Sequence, residues 1–266
     1  PKLRKVGNPM ALLNHVSDYT IRELNLTNEI KGSKELMQIK NDVSKNFSME
    51  LLRFPKYYEE LSNKDILVSE YITGESLEEG IMNQSLSWEK LLEFFRIHGA
   101  FIFGIGVFHG DLHPGNCIID SKGRFVFIDN GAICYAPTHV HKTLFKFFEH
   151  LSKQEMNEAF HALLGMTTFD VKGKRLEKYI EEMTKIYDGF ETKPVGEQSL
   201  TRIMMKTVKT AVNVAKAEFG EEAFPIIRAL MYLDAVSYTH LRAHETPEHR
   251  GCRLRGEKKR GGGGGG

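Results

Sequence analysis

Apolar residues at Leu12, Leu13, Val16, Tyr19, Ile21, Leu24, Leu26, Ile30, Leu36 and Ile39 recur at intervals of three and four, which predicts helix over 9–39 with a break near Gly32-Ser33. Two β-prone runs follow, 48–58 and 65–72, the second leading into Thr73-Gly74-Glu75. Ser87 is placed to cap a helix that begins at Trp88 and runs to about Val107; its most apolar run, Phe94 to Phe108, is interrupted by Arg96 and His98 and too short to span a bilayer, which predicts a buried core helix. Cys117-Ile118-Ile119 and the run 124–128 flank the turn-rich Asp120-Ser121-Lys122-Gly123 and predict a β-hairpin. After Gly131 the pattern is helical over 137–151, 153–164, 174–190, 197–219 and 221–236, with Gly165, Gly173, Pro194-Val195-Gly196 and Gly220 as breaks. Phe145, Phe147 and Phe148 are expected in the core of that part.

Composition adds bounds rather than identity. The 266 residues, 41% of them hydrophobic, suffice for one large or two small domains. Residues 237–266 hold seven Lys/Arg against three Asp/Glu, so the other 236 residues, with 29 basic and 32 acidic groups, sum to −3. The body therefore offers no electrostatic case for nucleic acid. Cys117, Cys134 and Cys252 form neither a disulfide framework nor a metal-ligand spacing, which favours a reducing, cytoplasmic setting. Peripheral membrane association is left open. From Ser237 the periodicity stops, and Ser237-Tyr238-Thr239-His240-Leu241-Arg242-Ala243-His244-Glu245-Thr246 is similar to translated sequencing-adapter DNA, so 237–266 is expected to be a disordered, non-native tail. A basic tail for nucleic acid is the competing expectation for that segment.

The candidate chemistry gathers between His109 and Gly131. His109-Gly110-Asp111-Leu112-His113-Pro114-Gly115-Asn116 is followed, after the hairpin, by Ile128-Asp129-Asn130-Gly131. An Asp, an Asn five residues on and an Asp-x-Gly thirteen beyond that is the spacing protein-kinase-like enzymes use to set a base and metal ligands around ATP. Phosphoryl transfer needs the triphosphate charge neutralised and the acceptor oxygen held in line, tasks for hard oxygen donors. Asp129 is then the main Mg²⁺ ligand and Asn116 a neutral one, with Asp111 orienting the attacking hydroxyl or water. His113 stands where protein kinases place a Lys near the γ-phosphate. Taken singly, these are ordinary polar turns, because Gly, Pro, Asn and Asp dominate turns; the two halves together, at this separation, outweigh that. Glu23 and Glu29 lie six residues apart, about 120° from coincident on a helix, so they face different surroundings. With the loop motifs downstream, one of them is expected beside the ATP site, paired to a phosphate-holding Lys. Running into a Gly-containing connection, 65–72 resembles a kinase hinge, with the Glu70 carbonyl and Ile72 amide facing adenine.

These residues resemble the UbiB family of atypical kinases over about 10–236. The family's Glu-x-Asp element and helix Glu look like Glu23-Leu24-Asn25 and Glu29, its catalytic loop like 109–116, its metal motif like Asp129-Asn130-Gly131, and its closing helices like Phe224-Pro225-Ile226-Ile227-Arg228-Ala229-Leu230. Asn25 replaces the family's Asp, Asn130 its usual Phe, and Gly110-Asp111-Leu112 is closer to aminoglycoside phosphotransferases. The resemblance implies an α+β, protein-kinase-like bilobed fold: a partial N-lobe over 1–72 and a mostly helical C-lobe over 73–236. It implies an ATP- and Mg²⁺-dependent kinase or ATPase supporting ubiquinone or other lipid metabolism, acting on a lipid, quinone-precursor or protein acceptor. It also places the nucleotide loop, the phosphate-holding Lys and a Lys-x-Gly-Gln helix before residue 1, leaving Glu29 without its Lys partner. An aminoglycoside- or choline-type phosphotransferase and a pseudokinase scaffold are the alternatives.

Overall fold

A computed structural model describes residues 24–167, 169–190, 192, 200–216 and 223–243. Glu23 lies outside them. The first helix, α1 (Thr27–Val43), follows an Asx turn in which Asn25 Oδ1 accepts from the Thr27 amide and hydroxyl, so the Asn at this position turns the chain into the helix. α1 runs unbroken through Gly32 and Ser33, both buried, contrary to the expected break. The reason is packing: a Cβ on Gly32 would sit 1.9 Å from the Asn130 carbonyl oxygen, so glycine lets the helix touch the Asp129–Gly131 loop. Gly32→Ala would gain about 1 kcal/mol in helix propensity. Overpacking of this kind costs about 1–3 kcal/mol, and denaturant unfolding is expected to show a net loss, against the sign that propensity alone predicts.

The expected strands over 48–58 and 65–72 shrink to β1 (Leu52–Arg53) and a single antiparallel bridge, Tyr57 to Ser69. Pro55 lacks a donor and Glu59–Leu61 turns as a short 3₁₀ segment, so the ladder cannot extend. The expected connection at Gly74 is instead a strand, β2 (Gly74–Ser76), running into α2 (Leu77–Met82), where Ser76 and Glu79 form a reciprocal capping box. α3 (Trp88–Gly99), capped by Ser87 as expected, widens into a π-turn (Ala100–Ile105) and stops at Gly106, φ +82°, against the His141 ring. β3 (Val107–His109) then delivers the chain to the first loop.

The hairpin forms as β4 (Cys117–Asp120) and β5 (Phe125–Phe127), with Cys117 opposite Phe127 and Ile119 opposite Phe125. Its turn is tied by Asp120, which accepts from the Lys122 and Arg124 amides and pairs with the Arg124 guanidinium at 2.7 Å. β1 adds in parallel to β5 and β2 antiparallel to β4, giving the order β1-β5-β4-β2, while β6 (Ile133–Tyr135) pairs with β3 in a second small sheet. The helical part comprises α4 (Thr138–Ser152), α5 (Met156–Leu163), α6 (Lys174–Ile186), α7 (Leu200–Thr210), continued as a π-turn to Ala215, and α8 (Ala223–Ala243). Phe147 is buried in α4 and Phe148 packs against the core, but Phe145 is 52% exposed, one residue of helical arc too far round. α8 runs seven residues beyond Val236, into the segment expected to lack structure; no Gly or Pro interrupts the chain before Pro247, so nothing local stops the helix. Among the described residues, no helix is long and apolar enough to cross a membrane.

His98 of α3 is buried, stacks on Phe94 at 6.2 Å and has no hydrogen-bond partner for Nδ1 among the described residues; burial pulls its pKa from 6.5 down to about 3. His109 is lowered for the same first cause. Both rings are neutral in the fold, and in the unfolded chain each takes up a proton near pH 6.5. The fold is therefore unpenalised above that pH and loses stability as pH falls, at about 1.4 kcal/mol per pH unit for His98 until its folded value of about 3 is reached, with His109 acting in the same direction. His98→Leu should shift acid unfolding, followed by circular dichroism, to lower pH; an unmoved midpoint would remove His98 from this account.

Candidate functional site

The site is built from two loops held together from below by a neutral histidine. His109 ends β3 with Nε2 3.0 Å from the Ile128 carbonyl oxygen, while Nδ1 accepts from the Asp111 amide at 3.1 Å. Since Nδ1 accepts, the proton sits on Nε2 and donates to Ile128. One ring thus ties the start of the first loop to the residue before Asp129. Gly110 is required beside it, because a Cβ there would lie 2.3 Å from the Cys134 sulfur of β6.

The chain then turns at Pro114-Gly115-Asn116, a 3₁₀ turn capped by His113, whose Nδ1 accepts from the Gly115 amide at 3.1 Å. The turn points the buried Asn116 side chain back across the loop. Its Nδ2 donates to the Asp111 backbone carbonyl at 3.0 Å and to Asp129 Oδ2 at 3.3 Å, while the backbone carbonyl of Asn116 accepts from the Ile128 amide at 3.0 Å. The residues from positions 111, 116 and 129 therefore meet, as the spacing predicts. Asp129 sits in the left-handed region, φ +56°, a conformation that Asp and Asn tolerate better than most residues. That twist sends Asn130 into the interior, where Nδ2 donates to the Phe127 carbonyl at 2.9 Å.

Glu29 stands on α1 against the Asp129–Gly131 loop. Rather than waiting for a Lys, its buried carboxylate accepts from the Asn130 amide at 2.5 Å, the Gly131 amide at 2.8 Å and the Tyr57 hydroxyl at 2.7 Å. It holds the Asp129–Gly131 loop onto α1. Tyr57 is pushed far above the ordinary phenol range by burial first and then by the Glu29 charge, so its hydroxyl remains a donor. Asp129 is raised above the ordinary carboxylate range, chiefly by partial loss of water and then by the Glu29 charge, with Asp111 adding to it. Because burial keeps His109 neutral, the centre carries an excess of negative charge that a cation would relieve.

A third element enters that the loop motifs did not reveal. The Tyr232 hydroxyl of α8 donates to Asp111 Oδ1 at 3.0 Å, Arg228 Nη1 lies 4.0 Å from the same oxygen, and the Tyr232 ring stands 6.1 Å from that of His113. Tyr232 and Arg228 are four residues apart, one helical turn, which is the only signal in the sequence that could have paired them. Glu70 and Ile72 are not joined to this network. The Glu70 carboxylate bonds Arg53 and the Lys56 amide, and Arg53 holds it below the ordinary carboxylate range. Ile72 lies partly exposed on the approach to β2.

Among the described residues no cluster of three or more His, Cys, Asp or Glu is arranged as a metal cage. The donor set still fits Mg²⁺, which is commonly bound through one or two protein oxygens, waters and substrate phosphates. A family model described as the ABC1 atypical kinase-like domain matches residues 1–163, which include both loops. The "Probable protein kinase UbiB" of Blochmanniella pennsylvanica is 22% identical over 83% of this chain and 41% of its own length, and that of Histophilus somni 23% over 89% and 44%. The chain thus spans less than half the length of these curated relatives. Among solved structures, the complex of Rv3197 with erythromycin from Mycobacterium tuberculosis superposes at a TM-score of 0.53 with 17% identity, over 88% of this chain and 59% of that one, a likeness of fold. Its two loops, and the match that contains them, place the chain in the ABC1 (UbiB) family of atypical kinase-like proteins.

Proposed function

We propose that the protein is an ATP- and Mg²⁺-dependent phosphotransferase or ATPase of the UbiB type, built on a bilobed kinase-like plan and serving ubiquinone or other lipid metabolism. The observation that carries this is the convergence of Asp111, Asn116 and Asp129, with Asn116 Nδ2 donating to the Asp111 backbone carbonyl and to the Asp129 carboxylate. In this scheme Asp129 and Asn116 hold the metal, which when bound neutralises charge on the phosphates. Asp111 orients the acceptor hydroxyl or water and takes up its proton. His113 stands beside that position, and the Glu70 carbonyl and Ile72 amide are the candidates for the adenine edge. Glu29 keeps the metal loop in place.

The test is nucleotide binding by the full-length protein with and without Mg²⁺, together with turnover. Metal-dependent binding and a turnover that disappears in Asp111→Asn support the proposal; binding without turnover identifies a pseudokinase. Stimulation by soluble amines alone would favour a small-molecule phosphotransferase.

Tyr232 adds a directional expectation. Its hydroxyl occupies the Asp111 oxygen that an acceptor hydroxyl would need, so an acceptor must displace a hydrogen bond to a charged group, worth about 1.5–3 kcal/mol. Tyr232→Phe is expected to raise basal ATP turnover, by about tenfold at the lower end of that range. A fall in turnover would instead mean that Tyr232 positions Asp111 for reaction.

A further inference from the structure

We propose that Arg228 selects the acceptor, and that this acceptor is an alcohol carrying an anionic group, a phosphate or a carboxylate, close to its hydroxyl. The proposal rests on the reading of Asp111 as the residue that orients the acceptor. Arg228 Nη1 stands 4.0 Å from Asp111 Oδ1, and the two side chains are 25% and 22% exposed, so a molecule in solution can reach both. Helix α8 supplies Arg228 one turn before Tyr232, whose hydroxyl donates to the same oxygen at 3.0 Å.

Asp111 is shared by two surroundings. Asn116 Nδ2 joins its backbone carbonyl to the Asp129 carboxylate, on the side proposed for metal and phosphates. Its side-chain Oδ1 is met by α8 instead. The charges divide in the same way. Asp129 is raised by burial first and then by Glu29, with Asp111 adding to it, whereas Tyr232 is raised by burial first and then by its bond to Asp111, with Arg228 opposing. Arg228 therefore belongs to the acceptor side, where whatever is attached to the reacting hydroxyl must lie.

The guanidinium decides what that attachment is. Its planar fork matches two oxygens of a phosphate or carboxylate, whereas a neutral substituent offers nothing to replace the carboxylate it would displace. Glu78 of α2 borders the same loop, since a Cβ on Gly115 would lie 3.9 Å from Glu78 Oε2. It repels an anion there and leaves the Arg228 side for it. Once the anionic end takes the guanidinium, the ion pair between Arg228 and Asp111 opens, and the hydroxyl of the same molecule can take the Asp111 oxygen that Tyr232 holds.

Calorimetric titration of the full-length protein, loaded with Mg²⁺ and a non-hydrolysable ATP analogue, with glycerol 3-phosphate, glycerate and glycerol tests the proposal. At least one of the two anions is expected to bind, one per chain and at least about tenfold tighter than glycerol, and the one that does so tells phosphate from carboxylate. Arg228→Gln should bring that affinity down to the level of glycerol, and Arg228→Lys, which keeps the charge without the fork, should fall between. Asp111→Asn should tighten the anion by about twofold to fivefold, because it releases the guanidinium from its partner. That comparison decides if Arg228→Gln does not fold. No preference for either anion over glycerol, undiminished anion binding in folded Arg228→Gln, or an unchanged anion affinity in Asp111→Asn overturns the proposal. So does an Arg228→Gln variant that loses the ATP analogue and keeps the anion preference, since it would set Arg228 on the triphosphate. Failure of the ATP analogue to bind the unaltered protein is a separate outcome, which would overturn the kinase-like reading and this proposal with it.

Discussion

Asp129→Asn is expected to raise the melting temperature of the nucleotide-free protein and to abolish its response to Mg-ATP. Partial loss of water and the neighbouring Glu29 and Asp111 charges all push the Asp129 carboxyl upward. A carboxyl raised in the fold binds its proton more tightly there than in the unfolded chain, so stability falls as pH rises from 3.8 through the folded value, and the whole penalty is present at neutral pH. Asn removes the charge, keeps an oxygen for the Asn116 Nδ2 donor and adopts the φ of +56° readily. The upward direction of the melting temperature is the expected result. Mg-ATP at a hundred times its dissociation constant should stabilise the unaltered protein by about 2.7 kcal/mol and the variant not at all. Asp129→Ala, which loses the ease at positive φ, should melt below Asp129→Asn. Scanning fluorimetry at neutral pH gives all these results; a variant that melts lower when nucleotide-free, or that still responds to Mg-ATP, would remove the metal role from Asp129.

The loops were legible because their chemistry is local. Asp111, Asn116 and Asp129 are fixed by a turn and a hairpin of definite length, so counting residues is enough to bring them together. Helices α4, α5 and α6 were legible for a similar reason, since each carries its own apolar stripe. What could not be read depends on partners far along the chain. Gly32 looks like a helix breaker until the Asn130 carbonyl is set against it, ninety-eight residues away. The runs around Leu52 and Val68 have strand-like composition but too little paired edge beside them to form long strands, and the Gly74 connection becomes a strand because the hairpin offers it one. Tyr232 is one of several polar residues on α8, and its meaning exists only once that helix is folded over Asp111.

Glu29 has two candidate tasks, an anchor for the Asp129–Gly131 loop and a partner for a phosphate-holding Lys, and Glu29→Ala separates them. Were its task only to pair with a phosphate-holding Lys, removing it would weaken nucleotide binding and leave the nucleotide-free fold as stable as before. In the structure it is the acceptor for two loop amides and a tyrosine hydroxyl, all at the join between α1 and the Asp129–Gly131 loop. Each buried donor left without an acceptor costs about 1–3 kcal/mol. Water can satisfy part of that, so a loss of about 3 kcal/mol or more is expected in urea unfolding of the nucleotide-free protein. Glu29→Gln keeps one acceptor oxygen and turns an amide N–H₂ toward the Gly131 or Asn130 N–H, so it should fall between the two. Both variants also take a negative charge away from Asp129, whose carboxyl should then titrate lower than in the unaltered protein, a shift that carbon NMR of the side chain can follow. The combination is diagnostic: a less stable fold whose Asp129 carboxyl is more acidic is what loss of the Glu29 anchor produces, whereas unchanged unfolding with weakened nucleotide binding would return Glu29 to the role of a lysine partner.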